Sequence, residues 1–396
     1  MKKIFGLEKN VFFLGIVSFF NDFSSEMIVS IFPAFFQSVL RAGAASLGLI
    51  EGVADALANL TKVVSGRLSD RIEHRKLLTV LGYSISVATR PFYLIVGNVL
   101  GVFGIRAVDR FGKGVREAPR DALLSLSSDR ENLGRSFGYH RSMDTLGAIL
   151  GPLTAFLILR TLPGNFNAVF ITAFLVGTLS IVSFVFVKDI ANAVKNGRGT
   201  LLGLRHYPPV FKRFLLIIFL LSLGNLPVAL LLLRTLDLGL DVSLVPLFYL
   251  FYNVTFTLLS FAAGRLADRL GDKNVIIGGY ALLTVSYLVF AVAGNLGTLA
   301  IAFIILGAFS AATEGVQRSY IARLTEKDVR GGAYGFLNAS LGFGALFAGL
   351  IGGLLWQFAG PPTALLTSVF VTVIGLALLI RNNHLGSDNE KTARVV

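Results

Sequence analysis

The sequence has no cysteine, only four histidines and few charged residues. The absence of thiols excludes disulfides and thiolate metal sites. Because His74, His140, His206 and His384 are too scattered for a ligand cluster, we expect no metal, and we also expect no cofactor. Charged residues make up 15% of the 396 residues and hydrophobic residues 54%, with a mean hydropathy of +0.72. This composition indicates an integral membrane protein rather than a soluble fold.

Apolar windows of about 20 residues recur twelve times, and each is long enough to cross a hydrocarbon core of about 30 Å. These predicted spans 1–12 lie near residues 11–39, 46–65, 77–97, 98–118, 136–159, 166–187, 214–233, 243–263, 275–294, 297–317, 332–356 and 364–380. Asp22 and Glu26 interrupt the apolar run of span 1, which we therefore interpret as a retained helix and not a cleavable signal peptide. The sequence predicts an all-α integral membrane protein.

The net charge of +13 could suggest a nucleic-acid partner, but the positions of the basic residues argue against one. Most Lys and Arg lie in segments on the side of the membrane that carries both termini, whereas Arg41, Arg160 and Arg234 lie on the other side. By the positive-inside rule, both termini are expected to be cytoplasmic.

The chain divides into two similar halves. A polar connection, residues 188–213, separates residues 1–187 from residues 214–396, and we interpret it as a cytoplasmic linker between two six-helix bundles. The sequence GRLSDR at 66–71, after span 2, returns as GRLADR at 264–269, after span 8, about half a chain later. This repetition indicates duplication of a six-helix unit.

A repeated Gly-x-Leu-x-Asp-Arg loop in a chain of this length resembles the major facilitator superfamily. Glu73 stands where the superfamily signature has a second Gly, which Gly271 restores in the other half. The resemblance implies a pseudo-symmetric twelve-helix fold and a gate in the loops, formed by Gly66, Asp70, Arg71, Gly264, Asp268 and Arg269. With the cytoplasmic side shut, we expect Asp70 near residues 331–333 and Asp268 near the start of span 5.

Span 5 carries a second motif of this superfamily. Gly138, Gly147, Gly151 and Pro152 reproduce the spacing of its antiporters, in which small residues allow close helix packing. Generic small-residue packing is the alternative interpretation. Span 4 departs from the drug-exporter pattern, because Arg110 occupies a position where a Gly is usual. The chain looks more like a bacterial and archaeal branch with poorly assigned substrates, which implies a cytoplasmic (inner, plasma) membrane location.

Span 4 and its continuation carry the sequence RAVDRFGKGVREAPRD at 106–121. Most of its charged residues fall on one side of a helix, within an arc of about 120°. Charges at membrane depth cost at least about 2.5 kcal/mol each, so they face protein, a partner charge or a water-filled cavity. We interpret this face as a transport pathway. For residues 116–121 the alternative is that the side chains extend into the membrane interface.

Asp22 and Glu26 lie one turn apart on span 1, at a depth similar to that of Arg106. The resemblance implies that spans 1, 4, 7 and 10 line the cavity. The candidate substrate and proton pathway comprises Asp22, Glu26, Arg106, Asp109, Arg110, Lys113, Arg141, Asp144 and Glu314. We expect Asp22 or Glu26 to exchange partners with Arg106 or Arg110 during transport. A fully paired, structural charge network is the alternative, because acids and bases balance in the first half.

These patterns predict a secondary active transporter that works by alternating access. We expect proton-coupled antiport that exports a small organic molecule, by a monomer whose partners are lipid, substrate and protons. The alternative is proton-coupled uptake or exchange of an organic anion bound by the basic residues of span 4. A membrane enzyme or a sensor is a remote alternative, because no nucleophile and base pair is present, and we expect no enzymatic activity.

Overall fold

The computed structural model describes residues 3–71, 74–129, 132–190, 203–326 and 329–381. Within these ranges the chain forms a short hairpin, β1 (Lys3–Ile4) and β2 (Leu7–Glu8), followed by thirteen α-helices. The helices are α1 Lys9–Ser38, α2 Ala44–Arg71, α3 Arg75–Thr89, α4 Val99–Leu126, α5 Leu133–Thr161, α6 Phe166–Ser183, α7 Pro209–Leu223, α8 Val228–Asp237, α9 Val245–Leu270, α10 Asp272–Val292, α11 Leu296–Leu324, α12 Arg330–Ala359 and α13 Pro361–Arg381.

These helices make twelve membrane crossings, in which α7 and α8 share one. Nine helical segments of the described chain are long and apolar enough to span a membrane by composition alone. The other three crossings are α2, α3 and α4: α2 and α4 carry several charges, and α3 is short and continues into a 3₁₀ turn, Arg90–Leu94. The predicted all-α fold of two six-helix bundles, α1–α6 and α7–α13, is confirmed.

The seventh crossing is broken between α7 and α8. Pro227 has no N–H to continue a helix, and α8 begins immediately after it. The backbone N–H of Leu226 donates instead to the Tyr287 hydroxyl on α10, at 2.8 Å, and that hydroxyl donates to Asn225 Oδ1 at 3.4 Å. Tyr287 therefore satisfies polar groups that the break leaves without helical partners.

We call the side of the membrane that carries both chain ends the terminal side, and the other the opposite side. On the opposite side, the last turns of α1 and the residues 230–233 of α8 are buried in one apolar cluster. There α2 also packs directly on α12: a Cβ on Gly52 would lie 2.9 Å from the backbone oxygen of Leu346. The two halves are thus in close contact on the opposite side.

On the terminal side, two clefts separate the halves. The first, of about 510 Å³, lies between α4 and α5 on one side and α9 and α11 on the other. The second, of about 650 Å³, lies between α2 and α4 on one side and α12 with Tyr207 on the other. Asp121 and Arg318 line both clefts, which therefore adjoin. This conformation is open on the terminal side.

The repeated motif was predicted to lie in loops, but in the structure it is helical. Residues 66–71 form the last turns of α2, and residues 264–269 form the last turns of α9. The helices extend beyond the apolar windows because neither motif contains a proline. α9 ends one residue after its motif, at Leu270, and the next residue, Gly271, has a φ of +86°, which favours glycine.

Candidate functional site

The two carboxylates of α1 lie at the junction of the halves. Glu26 Oε2 accepts a hydrogen bond of 2.6 Å from the hydroxyl of Tyr249, which lies on α9 in the second half. Asp22, one turn earlier, accepts a bond of 3.0 Å from the amide of Asn21. Both carboxylates are half-buried, and among the described residues neither forms an ion pair. They are acids that a proton can neutralise without breaking a salt bridge.

Two glycines of the α5 motif allow α5 to pack closely against α1 beside these carboxylates. A Cβ on Gly147 would lie 2.6 Å from the backbone oxygen of Phe19 and 3.2 Å from the Cβ of Asp22. A Cβ on Gly151 would lie 2.7 Å from the oxygen of Phe23 and 3.0 Å from the Cβ of Glu26. Only glycine permits this approach of two helix backbones.

The other two motif positions behave differently. Gly138 has open space around it, with no atom within 4 Å of an added Cβ. Pro152 lies inside α5, directly after Gly151, and is buried. Close packing at the motif is thus confined to the part that faces Asp22 and Glu26.

Arg106 is locked inside the first half. It donates to both carboxylate oxygens of Glu51 on α2, at 2.7 and 2.6 Å, and its guanidinium lies 4.6 Å from the ring centre of Phe32. Asp109 lies 3.8 Å away on the same helix. Arg106 is 2% exposed. In this conformation its partner is therefore Glu51, not Asp22 or Glu26, because α2 packs along α4 at this depth.

Arg110 and Lys113 have no such partner. Within the described part of the chain, neither forms an ion pair, and the buried Nε of Arg110 has no hydrogen bond. Both lie within electrostatic range of Glu26 on α1 and of Asp55 on α2. These four charged residues lie near one another without an ion pair in the described chain, so the charge network is not fully paired.

The end of α4 does not simply extend into the interface. Arg116 is 4% exposed, donates to Ser86 at 2.7 Å and stacks on Tyr83, both on α3. Glu117 pairs with Lys62 of α2. The interfacial interpretation of these two residues is wrong, because α2 and α3 flank α4 along its whole length.

Arg120 and the remaining candidates line the first cleft. Arg120 bonds Asp121 at 2.9 Å. Arg141 on α5 lies 5.2 Å from the ring centre of Phe256 on α9, and Asp144 lies one turn away. Glu314 lines the same cleft from α11. The candidate residues therefore lie in three places: the junction of the halves, the interior of the first half and the terminal-side cleft.

Comparison with known proteins gives the family. The sequence profile of the Major Facilitator Superfamily matches residues 14–233 and residues 213–395. The chain belongs to this superfamily. An MFS-type transporter of Methanocaldococcus jannaschii is 34% identical over 382 residues, covering 94% of this chain and 95% of that protein. The resemblance seen in the sequence is confirmed, and the chain is a multi-pass membrane transporter, not an enzyme.

More distant relatives share the fold. The proton-coupled antiporter flippase LtaA of Staphylococcus saprophyticus is 22% identical over 373 residues, which cover 88% of each protein. The crystal structure of the nucleoside transporter NupG superposes with a TM-score of 0.77 at 17% identity, covering 94% of this chain and 98% of that one.

The structure describes part of the predicted gating motif. Asp268 pairs with Arg323 of α11, at 2.9 Å, within its own half. An added Cβ at Gly264 or Gly331 would meet no atom within 4 Å. The side chains of Asp70 and Arg71 lie outside the described residues, as does Glu73. Because the terminal side is open, the gate contacts of a shut state stay a prediction.

Sequence reasoning did not single out three residues of this region. Tyr249 gave no signal, because one tyrosine in an apolar span carries no pattern. Glu51 is not among the predicted pathway residues. His140 was treated as an isolated histidine, although its position four residues before Asp144 places the two on one helix face.

Proposed function

We propose that the protein is a proton-coupled antiporter that exports a small organic molecule by alternating access. The observation that carries this proposal is the Glu26–Tyr249 hydrogen bond between the halves, beside Asp22 and without a paired cation in the described chain. Protonation of Glu26 removes the charge that makes this bond strong. A proton that binds there favours a different arrangement of the halves, which is how a gradient can drive the cycle.

Two further observations support antiport. The α5 glycines hold α1 at Asp22 and Glu26, so the antiporter motif and the carboxylates form one structural unit. The name of the distant relative LtaA describes a proton-coupled antiporter flippase. We assign the gate to the ends of α2 and α9. Residues 1–187 and 214–396 are the two moving units, and residues 188–213 join them. Both termini lie in the cytoplasm, and the protein works as a monomer.

The test begins with a thermal-shift screen of the purified protein to find a binding compound. Transport of that compound is then measured in proteoliposomes with and without an imposed pH gradient. We expect Glu26→Gln or Asp22→Asn to retain exchange at equal pH and to lose gradient-driven accumulation. The matched control is Asp237→Asn, a carboxylate at the opposite end of the fold. Full gradient-driven transport by the double variant Asp22→Asn/Glu26→Gln would refute proton coupling at α1.

The second candidate function is uptake or exchange of an organic anion. Arg110 and Lys113 support it, because they are cations inside the first half without an ion-pair partner in the described chain. A guanidinium binds carboxylate or phosphate through two parallel hydrogen bonds. Under this alternative Arg110→Lys weakens binding of the anion, and accumulation follows the direction of proton entry. Under antiport, the transported compound accumulates on the side from which protons enter.

A further inference from the structure

A buried histidine and aspartate on α5 lie between the α1 carboxylates and the terminal-side cleft. His140 Nδ1 is 3.5 Å from Asp144 Oδ2, and the two residues are 4% and 6% exposed. In the described structure, His140 Nε2 and Asp144 Oδ1 are buried and have no hydrogen-bond partner. Buried polar atoms of this kind are normally satisfied by protein or by ordered water. Each residue therefore has one free position at which to accept or release a proton.

The pair is joined to α1 by the close packing of the two helices. Gly147, three residues after Asp144, lies against the backbone of Phe19 and Phe23, so that the Asp22 Cβ packs beside α5. Asp22 and Asp144 lie within electrostatic range, and Glu26 follows Asp22 by one turn. The order along the membrane normal is thus Glu26, Asp22, Asp144 and His140, in steps of about one helical turn.

The other end of this series opens into the first cleft. His140 and Asp144 both line it, and its volume of about 510 Å³ has room for water. The ionisable groups near the pair are Asp22 from α1, Tyr83 from α3, Arg120 and Asp121 from α4, and Arg141 from α5. Across the cleft are Asp268, Glu314 and Arg318. Among the described residues, Arg120 forms an ion pair with Asp121 and none with Asp144.

We propose that Asp144 and His140 form the route by which a proton passes between the α1 carboxylates and the terminal side. The proposal rests on the proposed function, because it assumes that Asp22 or Glu26 holds the proton. When a proton leaves toward the terminal side, Glu26 loses it, and it moves through Asp22 and Asp144 with bridging water. His140 starts as the Nε2–H tautomer, accepts the proton at Nδ1 and releases the one on Nε2 to water in the cleft. This leaves the Nδ1–H tautomer, which a return of the proton or a flip of the ring resets. No group is oxidised or reduced. In total, one proton passes from the carboxyl group of Glu26 to water, and a carboxylate remains.

The experiment follows proton arrival directly, so it needs no substrate. Purified protein in lipid nanodiscs receives a pH jump from a photolysed caged proton, and time-resolved infrared spectroscopy records the band of protonated carboxyl groups. We expect His140→Gln to slow the rise of this band by about tenfold or more, because a positioned acid–base group is lost. Its final amplitude at each pH stays unchanged. Imidazole added to the medium restores the rate.

Controls separate this role from a structural one. His206→Gln replaces an exposed histidine on the same side and should leave the rate at the wild-type value. Asp144→Asn should also slow the rise but should not respond to imidazole, and it serves as the test if His140→Gln does not fold. A wild-type rate in either α5 variant would overturn the route. A carboxyl band unaltered by both Glu26→Gln and Asp22→Asn would overturn the proposed function, and the route with it.

Discussion

Buried arginines of this transporter are stabilised in two different ways. Arg106 is paired with a carboxylate, Glu51, through two hydrogen bonds. Arg90 is equally buried but bonds Asn21 and Ser24 on α1, and Gly177 of α6 provides the space for its guanidinium. Arg116 also has neutral partners, because it donates to the Ser86 hydroxyl and stacks on the Tyr83 ring. An intramembrane charge therefore identifies a buried partner, which need not be an acid.

The Arg106–Glu51 pair gives a prediction for stability. We expect Arg106→Gln to lower the free energy of unfolding by about 3–5 kcal/mol, because it leaves Glu51 buried and uncompensated. The double variant Arg106→Gln/Glu51→Gln should lose less, since two neutral amides remain. Reversible unfolding in mixed micelles measures both. The pair of Lys62 and Glu117, which is more exposed than Arg106 and Glu51, provides a control, Lys62→Gln, with a smaller loss. Equal losses in the single and double variants would show that the charge of Glu51 is not the cause.

At the scale of elements, the contact of α1 with α5 organises the site. Two glycines one turn apart on α5 meet the backbone of α1 beside Asp22 and Glu26. Because α1 also bonds α9 through Tyr249, any displacement of α1 from α5 changes the junction of the halves. Under the proposed function, helix packing and proton binding are coupled through α1.

The α5 motif predicts opposite outcomes at its two ends. Gly147→Ala or Gly151→Ala should destabilise the protein by about 1–3 kcal/mol, because the new methyl group would collide with α1 backbone atoms. Gly138→Ala should be neutral or stabilising by up to about 1 kcal/mol, because its surroundings are open and alanine favours a helix. Thermal unfolding of the three variants measures the difference. A uniform effect would mean that the motif acts by its composition and not by contact with α1.

At the scale of the whole molecule, the contact between α2 and α12 holds the opposite side closed. The backbones meet at Gly48 and Gly52 of α2 and at Gly349 and Gly353 of α12. The Gln357 side chain of α12 also accepts a hydrogen bond of 3.0 Å from the backbone N–H of Ala45. Under the proposed alternating-access mechanism, this contact must separate when the terminal side closes.

We predict that Gly48→Ala shifts the conformational equilibrium away from this state. The added methyl would collide with the backbone oxygen of Gly349, at a cost of about 1–3 kcal/mol in this conformation alone. Because the chain has no cysteine, spin labels can be placed at Thr161→Cys and Thr363→Cys, both exposed on the opposite side. In Gly48→Ala, the population with the longer distance between the two spin labels should increase.

The control is Gly104→Ala, whose added methyl meets no atom within 4 Å. It should reproduce the wild-type distance distribution. An unchanged distribution for Gly48→Ala would mean that the α2–α12 contact does not limit opening.

The amino-acid sequence by itself determined the number of crossings, the duplication and the superfamily, because these depend on local composition and on spacing along one chain. It also determined that α4 carries an ionic face, since the period of a helix is fixed. Which charges meet was decided by the tertiary structure alone. Glu51 rather than Asp22 binds Arg106, Tyr249 reaches Glu26 across the halves, and His140 faces the cleft, because such contacts depend on how helices far apart in sequence are rotated and packed.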